Sequence, residues 1–192
     1  MTPIKNNFFQ IISGEYRGRK LNFPDAPGLR PTPGKVRETL FNWIQFEAYD
    51  KTYLDLFTGS GSLSFEALSR GAKQIISIEK DANAYKNLEK NRKTLKSNKI
   101  SILNQDALVF LSKKNSKLFD FVFLDPPFNK NILPKALKLL AKGDFVNYGS
   151  KIYIESEFEI TLKFLRENFS EKIKINKQQQ SGAVNYCLLE VL

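Results

Sequence analysis

The sequence predicts an α/β fold in which a mostly parallel sheet carries helices on both faces. Short apolar runs alternate with longer segments of helical periodicity along most of the 192 residues. Parallel strands need crossover connections, and helices in those connections cover the sheet. A glycine-containing segment also follows the first predicted strand directly, where such folds bind ligands. At this length we expect one main domain with an N-terminal extension.

The N-terminal extension precedes the main domain. Residues 8–13 and 17–23 favour two short extended segments, followed by a loop rich in proline and glycine. Apolar residues at helical spacing over 36–44 then predict a helix with Thr32 as its N-cap. We therefore predict an N-terminal arm or hairpin at residues 1–34 and the main domain at 35–192.

Within the main domain, apolar runs predict strands and the periodic segments between them predict helices. The predicted strands are residues 53–57, 74–79, 100–103, 119–124 and 151–155, and the predicted helices are residues 63–69, 82–95, 107–113 and 132–140. Two later apolar segments, 171–175 and 184–191, flank a polar, turn-like stretch at 178–182. We expect them to form a terminal antiparallel pair.

The charge of the chain indicates a polyanionic partner. The formal net charge is +10 and the pI is about 9.6, which favours attraction of phosphate. A lysine-rich stretch at 86–99 is more typical of a solvated helix face than of a binding surface. For the basic residues near the N-terminus, a solvated arm is likewise the alternative to phosphate binding. Four of the seven arginines nevertheless lie in the first forty residues, and their planar forks suit bidentate phosphate contacts: Arg17, Arg19, Arg30 and Arg37.

Residue types exclude several kinds of chemistry. The chain has no histidine and one cysteine, Cys187, which excludes an internal disulfide, the usual zinc sites and histidine-activated nucleophiles. We therefore predict no metal centre, and chemistry that uses carboxylates, backbone groups or a bound cofactor. No apolar run approaches the ~20 residues of a membrane-spanning helix, and no secretion signal is recognisable, so we expect a cytosolic protein without membrane contact.

The segment Leu-Asp-Leu-Phe-Thr-Gly-Ser-Gly at 54–61 lies where the first predicted strand turns into a helix. Gly59 and Gly61 let the backbone approach a ligand closely, and Asp55 can accept hydrogen bonds from a cationic or hydroxyl group. The segment lacks the third glycine of the dinucleotide fingerprint and the Gly-Lys-Ser/Thr of a P-loop. An ordinary tight strand-to-helix turn is the alternative interpretation.

Two further carboxylates follow the next two predicted strands. Glu79 closes the second strand, where a carboxylate in such folds holds ribose hydroxyls. Asp106 follows the third strand, and either accepts a hydrogen bond from an adenine amino group or caps the next helix. Together with Asp55, they predict a nucleoside site at the C-terminal edge of the sheet.

The tetrapeptide Asp125-Pro126-Pro127-Phe128 follows the strongly apolar strand at 119–124. Its prolines remove two backbone donors and favour extended backbone, which leaves carbonyl groups available as acceptors. Acceptors at Asp125 and the Pro126 carbonyl suit an exocyclic amine, and Phe128 could stack on an extruded base. The alternative is a rigid turn that ends a buried strand.

These motifs, in this order, resemble those of the class I methyltransferase fold. More narrowly, the chain is similar to the bacterial ribosomal RNA small subunit methyltransferase D family, which acts on guanine N2 in 16S ribosomal RNA. The similarity includes residues 12–21, 27–32 and 36–43, whereas residues 33–35 depart from the family's more polar stretch. It implies a Rossmann-like, seven-stranded, mostly parallel sheet with an antiparallel C-terminal strand. It also implies S-adenosylmethionine as methyl donor and a guanine of an assembling small-subunit particle as acceptor.

The resemblance assigns a role to each candidate residue in what we expect to be a monomer. Cofactor binding falls to Asp55, Phe57, Gly59, Gly61, Glu79 and Asp106. The guanine would be held by Asp125, Pro126 and Phe128, with Pro127 beside it, and RNA phosphates by Arg17, Arg19, Arg30 and Arg37. Two alternatives stay open, namely a DNA adenine or cytosine amino-methyltransferase and a non-catalytic RNA-binding assembly factor that has kept the fold.

Overall fold

The computed structural model describes residues 7–26, 28–113 and 117–192. Residues 1–6 and 27 of the predicted arm lie outside the described residues. The elements in chain order are β1 (Asn7–Gln10), β2 (Lys20–Phe23), α1 (Gly34–Trp43), β3 (Thr52–Asp55), α2 (Ser62–Ser69), β4 (Gln74–Glu79), α3 (Ala82–Leu95), β5 (Ile100–Asn104), α4 (Ala107–Leu111), β6 (Phe121–Leu124), α5 (Ile132–Lys142), β7 (Lys151–Ser156), α6 (Leu162–Asn168), β8 (Ile173–Ser181) and β9 (Val184–Val191).

One seven-stranded sheet organises the domain, with strand order β5-β4-β3-β6-β7-β9-β8. Strands β3 to β7 pair in parallel, whereas β9 pairs antiparallel with both β7 and β8. The predicted α/β fold and the terminal antiparallel pair are therefore confirmed. The chain first extends the sheet from β3 through β4 to β5 and then returns to place β6 on the other side of β3. This reversal of strand order creates a crevice at the C-terminal ends of β3 and β6, where open α/β sheets bind ligands.

Each face of the sheet has its own apolar core because successive strand side chains point to opposite faces. On β3, Tyr53 belongs to the core that contains the hairpin and α1 to α3, whereas Leu54 belongs to the core that contains α4 to α6. On β7, Tyr153 and Ile154 divide in the same way. Helices thus cover both faces, as predicted.

The β1–β2 hairpin is attached to α2 by a polar contact that the sequence pattern did not reveal. Glu66, which is fully buried, accepts hydrogen bonds from the backbone amides of Ile12 (2.8 Å) and Ser13 (3.1 Å). At Gly14, which has φ +83°, a Cβ atom would lie 1.9 Å from the carbonyl oxygen of Ser69, so only glycine fits here. The predicted arm is therefore packed firmly on the main domain.

Thr32 was predicted to cap α1, and this prediction is wrong. Pro33 occupies the N-cap position, and its side chain makes no capping hydrogen bond. Thr32 is instead buried, and its backbone amide donates to the Ser62 hydroxyl at 3.2 Å. The Thr32 hydroxyl hydrogen-bonds to the carboxylate of Glu155, a partner far away in the sequence.

The C-terminal region differs from the prediction in two places. Residues 178–181 belong to β8 rather than to a turn, and the chain reverses at Gly182, which has φ +59°. Polar side chains are typical of an edge strand such as β8, which explains the glutamines. Helix α6 was not predicted. No described helix is both long enough and apolar enough to cross a membrane.

Candidate active site

The turn between β3 and α2 requires glycine for two separate reasons. Gly59 and Gly61 both have positive φ angles, +54° and +85°, which L side chains rarely adopt. At Gly61 a Cβ atom would also lie 2.5 Å from Leu88 Cδ2 and 2.7 Å from Phe65 Cε2. The turn is thus pressed against Leu88 on α3 and Phe65 on α2.

Asp55, the last residue of β3, is a buried carboxylate that hydrogen-bonds to the turn and to α2. The residue is 2% exposed, its Oδ2 accepts a 2.6 Å hydrogen bond from the Ser64 hydroxyl, and the Phe57 backbone amide also bonds to it. Burial raises the pKa of Asp55 to about 7. Phe57 is half-buried and packs against the core of α4 to α6. The contact of Asp55 with the amino-acid part of a cofactor stays a prediction.

Glu79 lies at the end of β4, directly beside the glycine turn. Its Oε2 accepts the Gly59 amide at 2.8 Å, and its Oε1 accepts the Asp81 amide at 2.7 Å. Burial raises the pKa of Glu79, and the two amides oppose this shift. Each carboxylate oxygen can accept more than one hydrogen bond, so ribose hydroxyls remain compatible with these contacts.

Asp106 follows β5 and caps α4. Its Oδ1 accepts the amides of Leu108 (2.8 Å) and Val109 (3.3 Å), which confirms the N-cap interpretation. Among the residues that the structure describes, Oδ2 has no hydrogen-bond partner. The predicted adenine contact is therefore compatible with the capping role and stays a prediction.

The tetrapeptide Asp125-Pro126-Pro127-Phe128 leaves the sheet at the end of β6. Pro126 is buried, Pro127 is exposed and Phe128 is half-buried. The loop then passes through Asn129 and Asn131, which have φ of +60° and +50°. Such angles are uncommon for residues other than glycine, although asparagine tolerates them best. The Asn129 amide donates to Glu157 Oε1 at 2.9 Å, which attaches this loop to the segment after β7.

Three carboxylates lie on the same face of the sheet at the crevice, each at the end of one of three neighbouring strands. Asp55, Asp125 and Glu155 follow Tyr53, Phe123 and Tyr153 by two residues each, and those three rings lie in the same core. The charges of Glu155 and Asp55, after burial itself, raise the pKa of Asp125 well above its usual range. Burial also raises the pKa of Glu155 to about 7.

Glu155 was not among the predicted site residues. A signal for it was nevertheless present in the sequence. Glu155 lies at the C-terminal end of a predicted parallel strand, as Glu79 does, and this position was the reason for selecting Glu79. Glu155 is 4% exposed and accepts a 3.0 Å hydrogen bond from the Tyr153 hydroxyl.

The four predicted phosphate-binding arginines occupy two different environments. Arg17, Arg19 and Arg30 are exposed. Arg30 also lines a pocket of about 520 Å³ together with Leu29, whose Cδ1 lies 3.4 Å from a Cβ built on Gly59. The structure therefore brings Arg30 close to the glycine turn.

Arg37 requires a correction, because it is buried and not placed for RNA. Its Nη2 donates to the Gln10 carbonyl at 3.0 Å, its Nη1 lies 3.7 Å from Glu66 Oε2, and its guanidinium covers the Phe9 ring. The side chain is 5% exposed. Arg37 thus joins α1 to the hairpin and α2.

The chain matches the family model described as conserved hypothetical protein 95 over residues 9–190. It is 41% identical over 192 residues to the ribosomal RNA small subunit methyltransferase D of Haemophilus influenzae, with 98% of this chain and 97% of the relative covered. It is also 41% identical over 181 residues to the Escherichia coli protein of the same name, with 94% and 89% covered.

Solved structures show the same fold. The Escherichia coli protein yhhF superposes with a TM-score of 0.85 at 38% identity, over 96% of this chain and 98% of that one. A T. thermophilus 16S rRNA N2 methyltransferase in complex with AdoMet and guanosine superposes with a TM-score of 0.73. The latter is 18% identical and covers 98% of this chain and 50% of its own, so it supports the fold alone.

Proposed function

The chain belongs to the conserved hypothetical protein 95 family, as a relative of the ribosomal RNA small subunit methyltransferase D proteins, and we propose that it methylates guanine in ribosomal RNA. The methyl group comes from S-adenosylmethionine, and the acceptor is the exocyclic N2 of a guanine in 16S ribosomal RNA. The observation that carries this proposal is the position of the tetrapeptide. Asp125 leaves β6 at the reversal of strand order, and β6 is paired with the β3 strand that ends in the glycine turn.

The residues around the crevice fit S-adenosylmethionine, which supplies an electrophilic methyl group on a sulfonium when bound. Gly59 and Gly61 have positive φ angles in the turn that follows β3, and the missing side chains at these two positions let the backbone approach the cofactor closely. Glu79 accepts the ribose hydroxyls with its remaining lone pairs, and Asp106 accepts the adenine amino group with Oδ2. Phe57 and Asp55 complete this side of the site, with Asp55 acting on the amino-acid part of the cofactor.

The tetrapeptide holds the amine that receives the methyl group. Asp125 and the Pro126 carbonyl accept its hydrogen bonds, which raises electron density on the nitrogen and accommodates the positive charge that develops there. As the N–CH3 bond forms and the S–CH3 bond breaks, the Asp125 carboxylate takes the proton that the amine loses. Phe128 stacks on the extruded base, and stacking of this kind contributes about 1–3 kcal/mol. Pro127, which is exposed, borders the same position. No covalent protein intermediate is needed, since positioning alone supplies up to ~7–11 kcal/mol of such a barrier.

The N-terminal segment contributes the RNA contacts. Arg17, Arg19 and Arg30 are exposed and bind phosphates, whereas Arg37 keeps the hairpin in place. Residues 1–34 thus act as the RNA-binding part and 35–192 as the catalytic part. The substrate is the assembling small-subunit particle rather than DNA.

Replacement of Asp125 by alanine tests this proposal. Purified protein is incubated with labelled S-adenosylmethionine and small-subunit particles, and cofactor affinity is measured by calorimetry. Asp125→Ala is expected to abolish methyl transfer while cofactor binding largely survives, because Asp125 acts on the amine. Glu159→Ala, an exposed carboxylate on the loop after β7, is the control and retains activity. Substantial activity of Asp125→Ala would remove the tetrapeptide from the mechanism, and absence of cofactor binding by the unchanged protein would favour a non-catalytic assembly factor.

A further inference from the structure

Glu155 is a buried carboxylate that has no cationic partner in the part of the chain that the structure describes. Its side chain accepts hydrogen bonds from the hydroxyls of Tyr153 and Thr32, and no ion pair to it is present among residues 7–26, 28–113 and 117–192. Burying such a group is costly unless enough donors surround it. A ligand with its own N–H donors would complete this environment, and strongly perturbed carboxylates in a crevice are typical of functional sites.

The sheet register places Glu155 beside Asp125. Leu124, the last residue of β6, pairs with Ile154 on β7, and neighbouring strands lie about 4.8 Å apart. Asp125 therefore leaves β6 directly beside Glu155, which still belongs to β7 and pairs with Tyr186 on β9. The side chains of Asp125 and Glu155 project to the same face, since both follow rings of the same core. The charge of Glu155 is also the largest cause, after burial, of the raised pKa of Asp125. The two carboxylates are thus close neighbours at the position where the amine binds.

Two adjacent acceptors match the edge of only one amino-bearing base. Guanine carries the N1–H donor next to its N2 amine. Adenine and cytosine carry an unprotonated ring nitrogen next to theirs, and that lone pair would face a carboxylate. Enzymes that extrude a base read this edge by hydrogen bonds. We propose that Glu155 is the specificity-determining residue of the site, and that it accepts a hydrogen bond from guanine N1–H while Asp125 accepts from the N2 amine.

The surroundings of Glu155 support a fixed orientation. Tyr153 lies in the core of the sheet, and Thr32 is held through its amide by Ser62 at the start of α2. Thr32 belongs to the loop between the hairpin and α1, so this contact also connects the RNA-binding segment to the base site. The inference rests on the proposed function, because it requires that the acceptor be a base amine.

The test replaces N1–H in the substrate instead of only changing the protein. The guanine methylated by the unchanged protein is first mapped, and the same RNA is then prepared with 2-aminopurine at that position. This base keeps the 2-amino group but has a lone pair at N1. The unchanged protein is expected to favour guanine strongly in kcat/KM. In Glu155→Gln the amide can donate to that lone pair, and the preference is expected to fall on the order of ten- to a hundredfold.

Glu159→Gln is the matched control. It makes the same isosteric change four residues along, at an exposed carboxylate on the loop after β7, and the guanine preference stays unchanged. An equal loss of kcat/KM on both RNAs in Glu155→Gln would make Glu155 purely structural and overturn the inference. Failure of the unchanged protein to methylate guanine at all would instead overturn the proposed function, so the two failures are distinguishable.

A second measurement needs no variant and covers the case in which Glu155→Gln does not fold. The groups that face Glu155 are Thr32, Tyr153, Asp125, Asp55 on β3 and Tyr186 on β9. Below the pKa of about 7, the neutral Glu155 carboxyl can donate to the N1 of 2-aminopurine, whereas above it the carboxylate can only accept. The guanine preference of the unchanged protein is therefore expected to rise as the pH rises through this range. A preference independent of pH would contradict the inference.

Discussion

Gly61 offers a quantitative test of the cofactor-binding turn. Its φ of +85° disfavours any L residue, which costs about 1–2 kcal/mol in this conformation. A Cβ atom would also lie 2.5 Å from Leu88 and 2.7 Å from Phe65, and both side chains are fully buried and cannot swing into solvent. Inserting a methyl group into such a space costs about 1–3 kcal/mol. Gly61→Ala is therefore expected to destabilise the fold by about 2–5 kcal/mol.

Gly149 is the matched control for Gly61. Its φ is +82°, but a Cβ atom there would have no neighbour within 4 Å among the described residues. Gly149→Ala is expected to lose only the conformational part, about 1–2 kcal/mol. Urea unfolding of both variants measures the difference, and calorimetry with S-adenosylmethionine is expected to show weaker binding for Gly61→Ala alone. Equal losses of stability in the two variants would refute the reasoning that the turn is pressed against α3.

Three further predictions concern ionisable residues. Arg37→Met is expected to lower stability by about 1–3 kcal/mol through loss of the Gln10 and Glu66 contacts, with an unchanged salt dependence of RNA binding. Arg17→Ala is expected to reduce the slope of log affinity against log salt concentration by about 0.7–0.9 and to leave stability unchanged. A reduced slope in Arg37→Met together with a loss of stability in Arg17→Ala would contradict the structure. Asp55 has a pKa of about 7 in the folded state, so the folded protein keeps a proton on this group that the unfolded chain loses near pH 4. The contribution of the protonated Asp55 to the free energy of unfolding is therefore fully present below pH 4 and is lost as the pH rises to 7. The free energy of unfolding of the unchanged protein is expected to fall by up to about 4 kcal/mol over this pH range, and that of Asp55→Asn is not. Parallel curves of unfolding free energy against pH for the unchanged protein and Asp55→Asn would contradict this account.

The features that depend on local sequence were the ones that could be predicted. Alternating apolar runs and helical periodicity predicted the parallel sheet because crossover helices leave that pattern in the chain. The ends of the predicted strands also placed Glu79 and Asp106 correctly at one edge of the sheet, because the C-terminal ends of parallel strands meet there. The N-cap role of Asp106, one of its two interpretations, is confirmed by the bonds to Leu108 and Val109.

The features that depend on contacts between distant segments were missed. In the sequence, Arg37 cannot be distinguished from the other arginines of the first forty residues. Its structural role becomes visible only from its contact with the buried Glu66 on α2. Thr32 satisfied the local rule for an N-cap, but its amide and hydroxyl have partners on α2 and β7. Glu155 belongs to an apolar strand, and its proximity to Asp125 follows from the pairing of β6 with β7. Sequence patterns report periodicity and end signals, and they do not report such long-range pairings.

The identity of the methylated nucleoside tests the central claim most directly. Purified protein is incubated with labelled S-adenosylmethionine and, in parallel, with small-subunit particles, naked 16S ribosomal RNA and DNA, and each product is digested to nucleosides. The account predicts label in N2-methylguanosine from the ribosomal substrate and none in DNA. Label in N6-methyladenosine or N4-methylcytosine, or incorporation into DNA alone, would contradict it.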